Sequence, residues 1–333
     1  MAVFQSFENG RITVPEFRSK VYMVLPKTGI SEDQKDEVID SFIRDTMSYG
    51  KLDAVLNHPD VSDVVLRSKD IVNVQIKGVW YRSNITFKNT DEYVYFVGRI
   101  CTKNRVSMNV TNAQIYFSDI DTIETARLRF LGTDASLNTN RLPSMHIRKI
   151  DKIKCGVPKL IKDKMLTPDQ AAFIREEIKK GTSMLVCGGS GSGKTVLVNN
   201  FIEYLNSNVR GVFVQESEEL FADTKYNIEF IHTVNNKGEG KVVHTLREIS
   251  TAALLMNTKV FGIGEIKGDE ARDYFTAANT GAQVIATTHG LNVFEGIPRI
   301  ADLAMYSGDY TLEALLKMLC KNSSIVIFMS KYK

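Results

Sequence analysis

Residues Gly188 to Thr195 read GGSGSGKT, a complete match to the pattern G-x-x-x-x-G-K-[ST]. The composition has a chemical reason. Glycines let the backbone curl so that successive N–H groups point inward at phosphate oxygens, and a helix starting there adds its positive end. Gly188, Gly189, Ser190, Gly191, Ser192 and Gly193 would form that cradle. Lys194 would reach the β- and γ-phosphates, and the Thr195 hydroxyl would ligate Mg²⁺. The alternative is a Gly/Ser-rich turn that happens to carry a lysine. Context decides between them, because the pattern needs a strand before it and a helix after it. Met184-Leu185-Val186-Cys187 is an apolar run of strand length, and Val196, Leu197, Val198, Phe201 and Ile202 follow at helical spacing. The stretch predicts a nucleoside triphosphate ligand.

Three further groups would complete such a site. Val260-Phe261-Gly262-Ile263-Gly264 has the pattern of a buried strand and is closed by Glu265, a carboxylate suited to holding the Mg²⁺ shell or orienting water. Gln215-Glu216-Ser217-Glu218-Glu219 places three carboxylates within four positions, which repel one another unless Mg²⁺ or a lysine sits among them. Its alternative is a solvated acidic turn. Ala286-Thr287-Thr288 ends another apolar run, and His289 closes it on the expected nucleotide side. A lone histidine is more often structural than catalytic.

These residues need elements to hold them. Thr167-Pro168-Asp169-Gln170 has capping-box spacing with proline at the first helical position, and that helix stops at Gly181. Strand-like runs at 184–187, 211–214, 259–263, 283–286 and 324–328 alternate with helical stretches, which implies a mostly parallel sheet with its ligand at the strand C-termini. The nucleotide-binding domain is therefore placed at 166–333. Ahead of it, period-two runs at 61–66 and 72–76, a Lys77-Gly78 turn before Val79-Trp80-Tyr81, a helix capped by Asn89, and runs at 114–117, 125–131 and 144–150 read as a smaller α+β domain over 48–150. Ser31 to Gln34 opens a helix whose Val38, Ile39, Phe42, Ile43 and Met47 line one face. Residues 1–30 read as an extended arm, so 1–47 is an arm plus a helix. Residues 151–165 read as a linker, and Arg148, Lys149, Lys152 and Lys154 as its solvated charges. The fold class is α/β.

Composition excludes several classes. A net charge of +3 over 333 residues lacks the basic footprint of a dedicated nucleic-acid binder. No apolar segment approaches the ~20 residues of a membrane span, and the N-terminus carries no export signal. Cys101, Cys155, Cys187 and Cys320 lie far apart with no C-x-x-C pair, which fits a reducing cytosol rather than a disulfide framework or a zinc site.

Four segments in order resemble the secretion and type IV pilus ATPase superfamily: GGSGSGKT, an acidic box at VQESEEL, a Walker B segment at GIGEIKGDEA, and a histidine box at NTGAQVIATTHG. Upstream, YGKLDAVLNHPDVSDVVL and MHIRK look like the Tad-pilus (CpaF-like) and conjugation-type branch, so the likeness covers roughly residues 48–300. The resemblance implies a RecA-like C-terminal domain, ATP and Mg²⁺ as cofactors, and a homo-hexameric motor. That motor would be cytoplasmic, docked on membrane platform proteins of a pilus, secretion or conjugation machine. It also implies that Arg148, from the N-terminal domain, acts in trans on the phosphates. Glu265 would serve Mg²⁺, and His289 would join the catalytic set. The chain departs from the family where Gln215-Glu216 replaces the usual Glu-Asp, where an arginine-rich segment gives way to Leu255-Met256-Asn257-Thr258, and in a shortened histidine box. Glu216 is accordingly the expected catalytic carboxylate, Gln215 assists it, and Glu219 is structural. Two other readings remain open on these departures: a slow or non-hydrolysing regulatory subunit, and a nucleic-acid translocase.

Overall fold

The computed structural model describes residues 13–24, 31–223, 225–236, 242–306, 310–321 and 324–330. The chain forms two compact units, one ending at Ile153 and one beginning at Lys154.

The first unit opens with two helices, α1 (Val14–Val24) and α2 (Glu32–Met47). Phe17 and Val21 of α1 pack on Ile39 of α2, and Arg18 bonds Asp36 and Asp40 across them. Residues 14–24 are thus helical rather than part of an extended arm. Their charged residues obscure the apolar spacing. Ser31 and Gln34 exchange the reciprocal bonds of a capping box. On the expected apolar face Ile39 is buried but Val38 is half exposed, and the side chains of Phe42 and Met47 lie outside the described residues.

After a short helix α3 (Asp53–Leu56), strands β1 (Val61–Ser68), β2 (Ile71–Ile76) and β3 (Val79–Arg82) precede α4 (Thr90–Lys103). β4 (Gln114–Asp119), β5 (Ala126–Thr133) and β6 (Ser144–Asp151) follow. All six strands form one antiparallel sheet in the order β3-β2-β1-β6-β5-β4. Lys77 and Gly78 both take positive φ, 50° and 82°, as the tight β2–β3 turn requires. Along β5 burial alternates strictly, and the inward set Leu128 and Phe130 meets Phe96 and Val97 of α4 in the core.

In the second unit, α5 (Val157–Lys162) and α6 (Pro168–Lys180) lead into β7 (Ser183–Gly188), α7 (Lys194–Phe201), β8 (Gly211–Gln215) and β9 (Ile228–His232). A small antiparallel pair, β10 (Val234–Asn236) and β11 (Val242–His244), comes next. Then follow α8 (Leu246–Leu254), β12 (Val260–Ile266), α9 (Ala271–Asn279), β13 (Gln283–Thr288), α10 (Val293–Met305), α11 (Leu312–Lys321) and β14 (Ser324–Met329). Thr167 caps α6 with a full capping box, and Gly181 ends it in the left-handed conformation. The six-stranded sheet β14-β7-β13-β12-β8-β9 is parallel throughout. Helices cover both faces, so β7, β8 and β13 are buried at every residue and read as apolar runs without alternation. Period two persists beneath this. Met184, Val186, Phe213 and Ile285 enter the layer with α6 and α7, whereas Leu185, Val212, Val214, Val284 and Ala286 enter the layer with α9 and α10.

Two expectations change here. The stretch 151–165 holds the end of β6 and the helix α5, with Leu160 buried. Three of the cations read as solvated also have partners. Lys149 donates to the His58 carbonyl at 2.6 Å and Lys152 to that of Ile123 at 2.8 Å, while buried Lys154 lies 3.3 Å from Glu203 and over the Phe221 ring. Neighbouring carbonyls, Glu203 and the Phe221 ring, invisible in the sequence, supply these contacts. β9 also escapes the pattern, being a five-residue strand that, among the described residues, pairs with β8 alone.

Candidate active site

The four adjacent strands β7, β13, β12 and β8 carry every predicted group of the second unit at their C-terminal ends. β7 runs out at Gly188 and α7 begins at Lys194, so the glycine loop lies between strand and helix N-terminus as a phosphate cradle requires. Gly191 and Gly193 take φ of 67° and 92°. A Cβ on Gly188 would lie 2.3 Å from the Met329 carbonyl oxygen and 2.7 Å from Ser192 Oγ. The Ser192 hydroxyl is buried without a hydrogen-bond partner, a donor that a phosphate oxygen would satisfy. The loop therefore fits a nucleotide phosphate chain. Thr195, the second residue of α7, is half-buried.

Lys194 is buried, and its ammonium donates to the carbonyls of Gly188 at 3.0 Å and Gly189 at 3.1 Å. Glu265 Oε1 stands 3.6 Å away. Burial lowers the Lys194 pKa, while the Glu265 and Glu219 carboxylates pull the other way.

Glu265 owes its position to irregular pairing at the end of β12. The register with β13 slips between Ile263 and Ile266, and the Thr287 and Thr288 hydroxyls donate to the carbonyls of Gly264 and Ile266 at 2.7 and 3.1 Å. Such a slip re-aims a side chain out of the ladder. His289 Nε2 lies 2.9 Å from Glu265 Oε1, and Lys267 Nζ lies 2.9 Å from its Oε2. Burial alone would raise the Glu265 pKa, but Lys267, His289 and Lys194 together hold it below the ordinary value.

The loop after β8 is braced from within. The Gln215 amide accepts from the backbone N–H of Glu219 at 3.0 Å and of Leu220 at 2.7 Å, and donates to the Leu220 carbonyl at 3.1 Å. Its polar atoms are engaged in shaping the acidic loop. The Glu216 carboxylate instead meets Lys267 Nζ at 2.7 Å. Glu219 accepts from the Ser217 hydroxyl at 3.3 Å.

Lys194, Glu265, His289, Lys267 and Glu216 thus form one connected network, and Gln215 stands beside it as a brace. Arg148 belongs to the first unit. It projects from β6, half-exposed, and its Nε donates to Asp63 Oδ1 at 3.0 Å, an oxygen that His146 also approaches at 3.1 Å. Lys267 is the member of this network that its sequence did not single out. Its signal was its place two residues beyond Glu265, which in extended chain puts both side chains on one face.

A family model described as "Type II/IV secretion system protein" matches residues 122–327, more than half of the chain. An uncharacterised protein of Methanocaldococcus jannaschii is 25% identical over 276 residues, covering 82% of this chain and 49% of that one. VirB11 of Agrobacterium fabrum is 28% identical over 140 residues, 42% of this chain and 40% of its own. The chain thus spans less than half the length of these curated relatives. Among solved structures, the Legionella pneumophila ATPase DotB gives a TM-score of 0.59 at 16% identity, covering 86% of this chain and 76% of that one. The pilus retraction motor PilT with bound ADP gives 0.58 at 19%, covering 80% and 74%. At these identities the structures share the fold: two-domain proteins with a parallel sheet in one domain and an antiparallel sheet in the other. This chain belongs to the type II/IV secretion system protein family.

Proposed function

We propose that the chain is an ATPase motor subunit that hydrolyses ATP to ADP and phosphate and works as a homo-hexamer. It would drive a pilus-assembly, secretion or conjugation machine of the Tad-pilus or conjugation type, at the cytoplasmic face of a membrane. The observation that carries this reading is the network at the strand ends, where Glu265 faces the P-loop lysine Lys194 at 3.6 Å and shares contacts with His289 and Lys267. Thr195 and Glu265 are the residues that would hold Mg²⁺. When bound, Mg²⁺ neutralises charge that develops on the transferred phosphoryl group. The chain's own residues supply the rest. The 188–193 loop orients the phosphates, Lys194 turns from its carbonyl partners onto them, and Glu216 with Glu265 orients the attacking water. Arg148 of a neighbouring copy would add positive charge opposite Lys194. No described helix is long and apolar enough to cross a membrane, so attachment would come through platform proteins.

One observation favours a second reading, a slow regulatory subunit. The residue at the start of the acidic box is a glutamine with its amide engaged by Glu219 and Leu220, which leaves the water to Glu216. Steady-state phosphate release by purified protein, with Lys194→Ala as the blank, separates the two. A motor turns over and loses that turnover in the variant, together with about 10–100-fold in ATP affinity. Turnover at the level of the blank favours the regulatory subunit, and turnover unchanged in Lys194→Ala removes the P-loop assignment.

A further inference from the structure

We infer that Lys267 is a positioning residue that clasps Glu216 to Glu265 and so sets the water-orienting carboxylate in place. The inference rests on the ATPase reading above.

The geometry has three parts. Lys267 Nζ lies 2.7 Å from Glu216 Oε2 and 2.9 Å from Glu265 Oε2, bridging the end of β8 to the end of β12. The far oxygen of Glu265 faces His289 and Lys194, so one end of the bridge is fixed at the phosphate loop. The root of Lys267 is fixed as well. Buried Glu270 accepts from the backbone N–H of Lys267 at 2.6 Å and of Gly268 at 2.9 Å, pinning the turn that follows β12.

Among the described residues, the Glu216 side chain has no comparable anchor. Its backbone carbonyl accepts from the Thr233 hydroxyl at 2.9 Å, but its carboxylate is 41% exposed and pairs with Lys267. A single exposed ion pair would do little to order such a group. An ammonium held by two carboxylates on a pinned turn is different, because its charge also relieves the repulsion between them. The same ammonium sits beside Glu265, the carboxylate proposed for Mg²⁺. It should therefore weaken divalent-cation binding there while ordering Glu216, a trade that a purely structural lysine would not show.

The test is a double-mutant cycle with a metal readout. Lys267→Met, Glu216→Gln and the double variant are compared for turnover at saturating ATP. The same proteins are titrated with Mn²⁺ in the presence of a non-hydrolysable ATP analogue, followed by electron paramagnetic resonance. Lys267→Met should lose about tenfold or more in turnover, the double variant should be no slower than the slower single, and nucleotide affinity should stay within about threefold. Mn²⁺ should bind several-fold more tightly to Lys267→Met, since an opposing cation beside its ligand is gone. Lys267→Arg keeps the charge and should restore both values to within about threefold. Multiplicative losses in the double variant, or unchanged Mn²⁺ affinity in Lys267→Met, would overturn the clasp. The Mn²⁺ titration does not depend on turnover and so decides the matter even in a slow protein. Lys194→Ala, run alongside, separates the failures. If it loses nucleotide while the cycle is multiplicative, only the clasp is wrong. If it binds the analogue as well as the unmodified chain, the nucleotide site itself is wrong, and the clasp with it.

Discussion

Each unit is built on a six-stranded sheet, yet the two carry their polar chemistry in different places. In the parallel sheet every strand ends on the same side, so four neighbouring ends deliver the glycine loop, the acidic loop, Glu265 and His289 to one edge. In the antiparallel sheet successive C-termini alternate between the two ends, so adjacent strands do not deliver their C-terminal residues to one place. Its charged groups instead face one another across mid-strand registers, Arg129 opposite Arg148 and Arg148 opposite Asp63. A parallel sheet makes a site from backbone ends; an antiparallel sheet makes one from side chains on a face. The second kind suits a surface that works on a ligand held elsewhere, which is the role proposed for Arg148.

The largest expected effect tests that division of labour. If Arg148 acts on the phosphates of a neighbouring copy, Arg148→Ala should cut turnover by about 10³ with little change in ATP affinity, as for trans-acting arginines in other P-loop enzymes. Thermal stability should be recorded too, because Asp63 loses a partner. A loss under about threefold would return Arg148 to the role of a surface ion pair. Next in size, Glu265→Gln should slow hydrolysis by about 10²–10³. Its ATP affinity should be unchanged or tighter, since a carboxylate facing Lys194 is neutralised. If it loses affinity as Lys194→Ala does, Glu265 is a folding residue and the strand-end site is broken.

Stability variants sharpen the contrast in packing. A Cβ on Gly262 of β12 would lie 1.9 Å from the Phe213 ring, so Gly262→Ala should destabilise the second unit by about 1–3 kcal/mol, read by chemical denaturation.

Two buried carboxylates, one in each unit, should respond oppositely to pH. Burial raises Asp273 to about 6 from an ordinary 3.8, with Arg247 only partly opposing it. Its folded form holds a proton more tightly than the unfolded form. That contribution is complete below about pH 4 and is lost as pH rises through about 6. Asp273→Asn should flatten this slope and gain about 1–2 kcal/mol over the unmodified chain above about pH 7. In the first unit burial would raise Asp63, but His146 and Arg148 hold it below the usual carboxylate value, so its contribution is present at neutral pH and lost in acid. A pH dependence of stability in Asp273→Asn identical to that of the unmodified chain would contradict the Asp273 assignment.

The smallest effect has the opposite sign to Gly262→Ala. Gly98 is exposed within α4, and a Cβ there meets nothing within 4 Å. Gly98→Ala should stabilise the first unit by about 0.5–1 kcal/mol through helix propensity alone.

Local chemistry explains what could be read from the chain alone. The glycine loop, the capping boxes at Ser31 and Thr167, the turn at Lys77-Gly78 and the apolar strand runs all depend on residues within a few positions of one another. Their backbone conformations follow from the side chains themselves. The order of the four motif segments likewise carried the family. Tertiary structure decided the rest, because contacts across strands depend on partners far away in sequence. α1 is held by a small cluster with α2, and β9 by pairing with β8. Gln215 and Glu216 are adjacent, yet the fold turns one amide onto the backbone of its own loop and carries the other side chain to Lys267, 51 residues away. Neighbours on an extended strand point to opposite sides, and only the assembled sheet determines which side holds the nucleotide site.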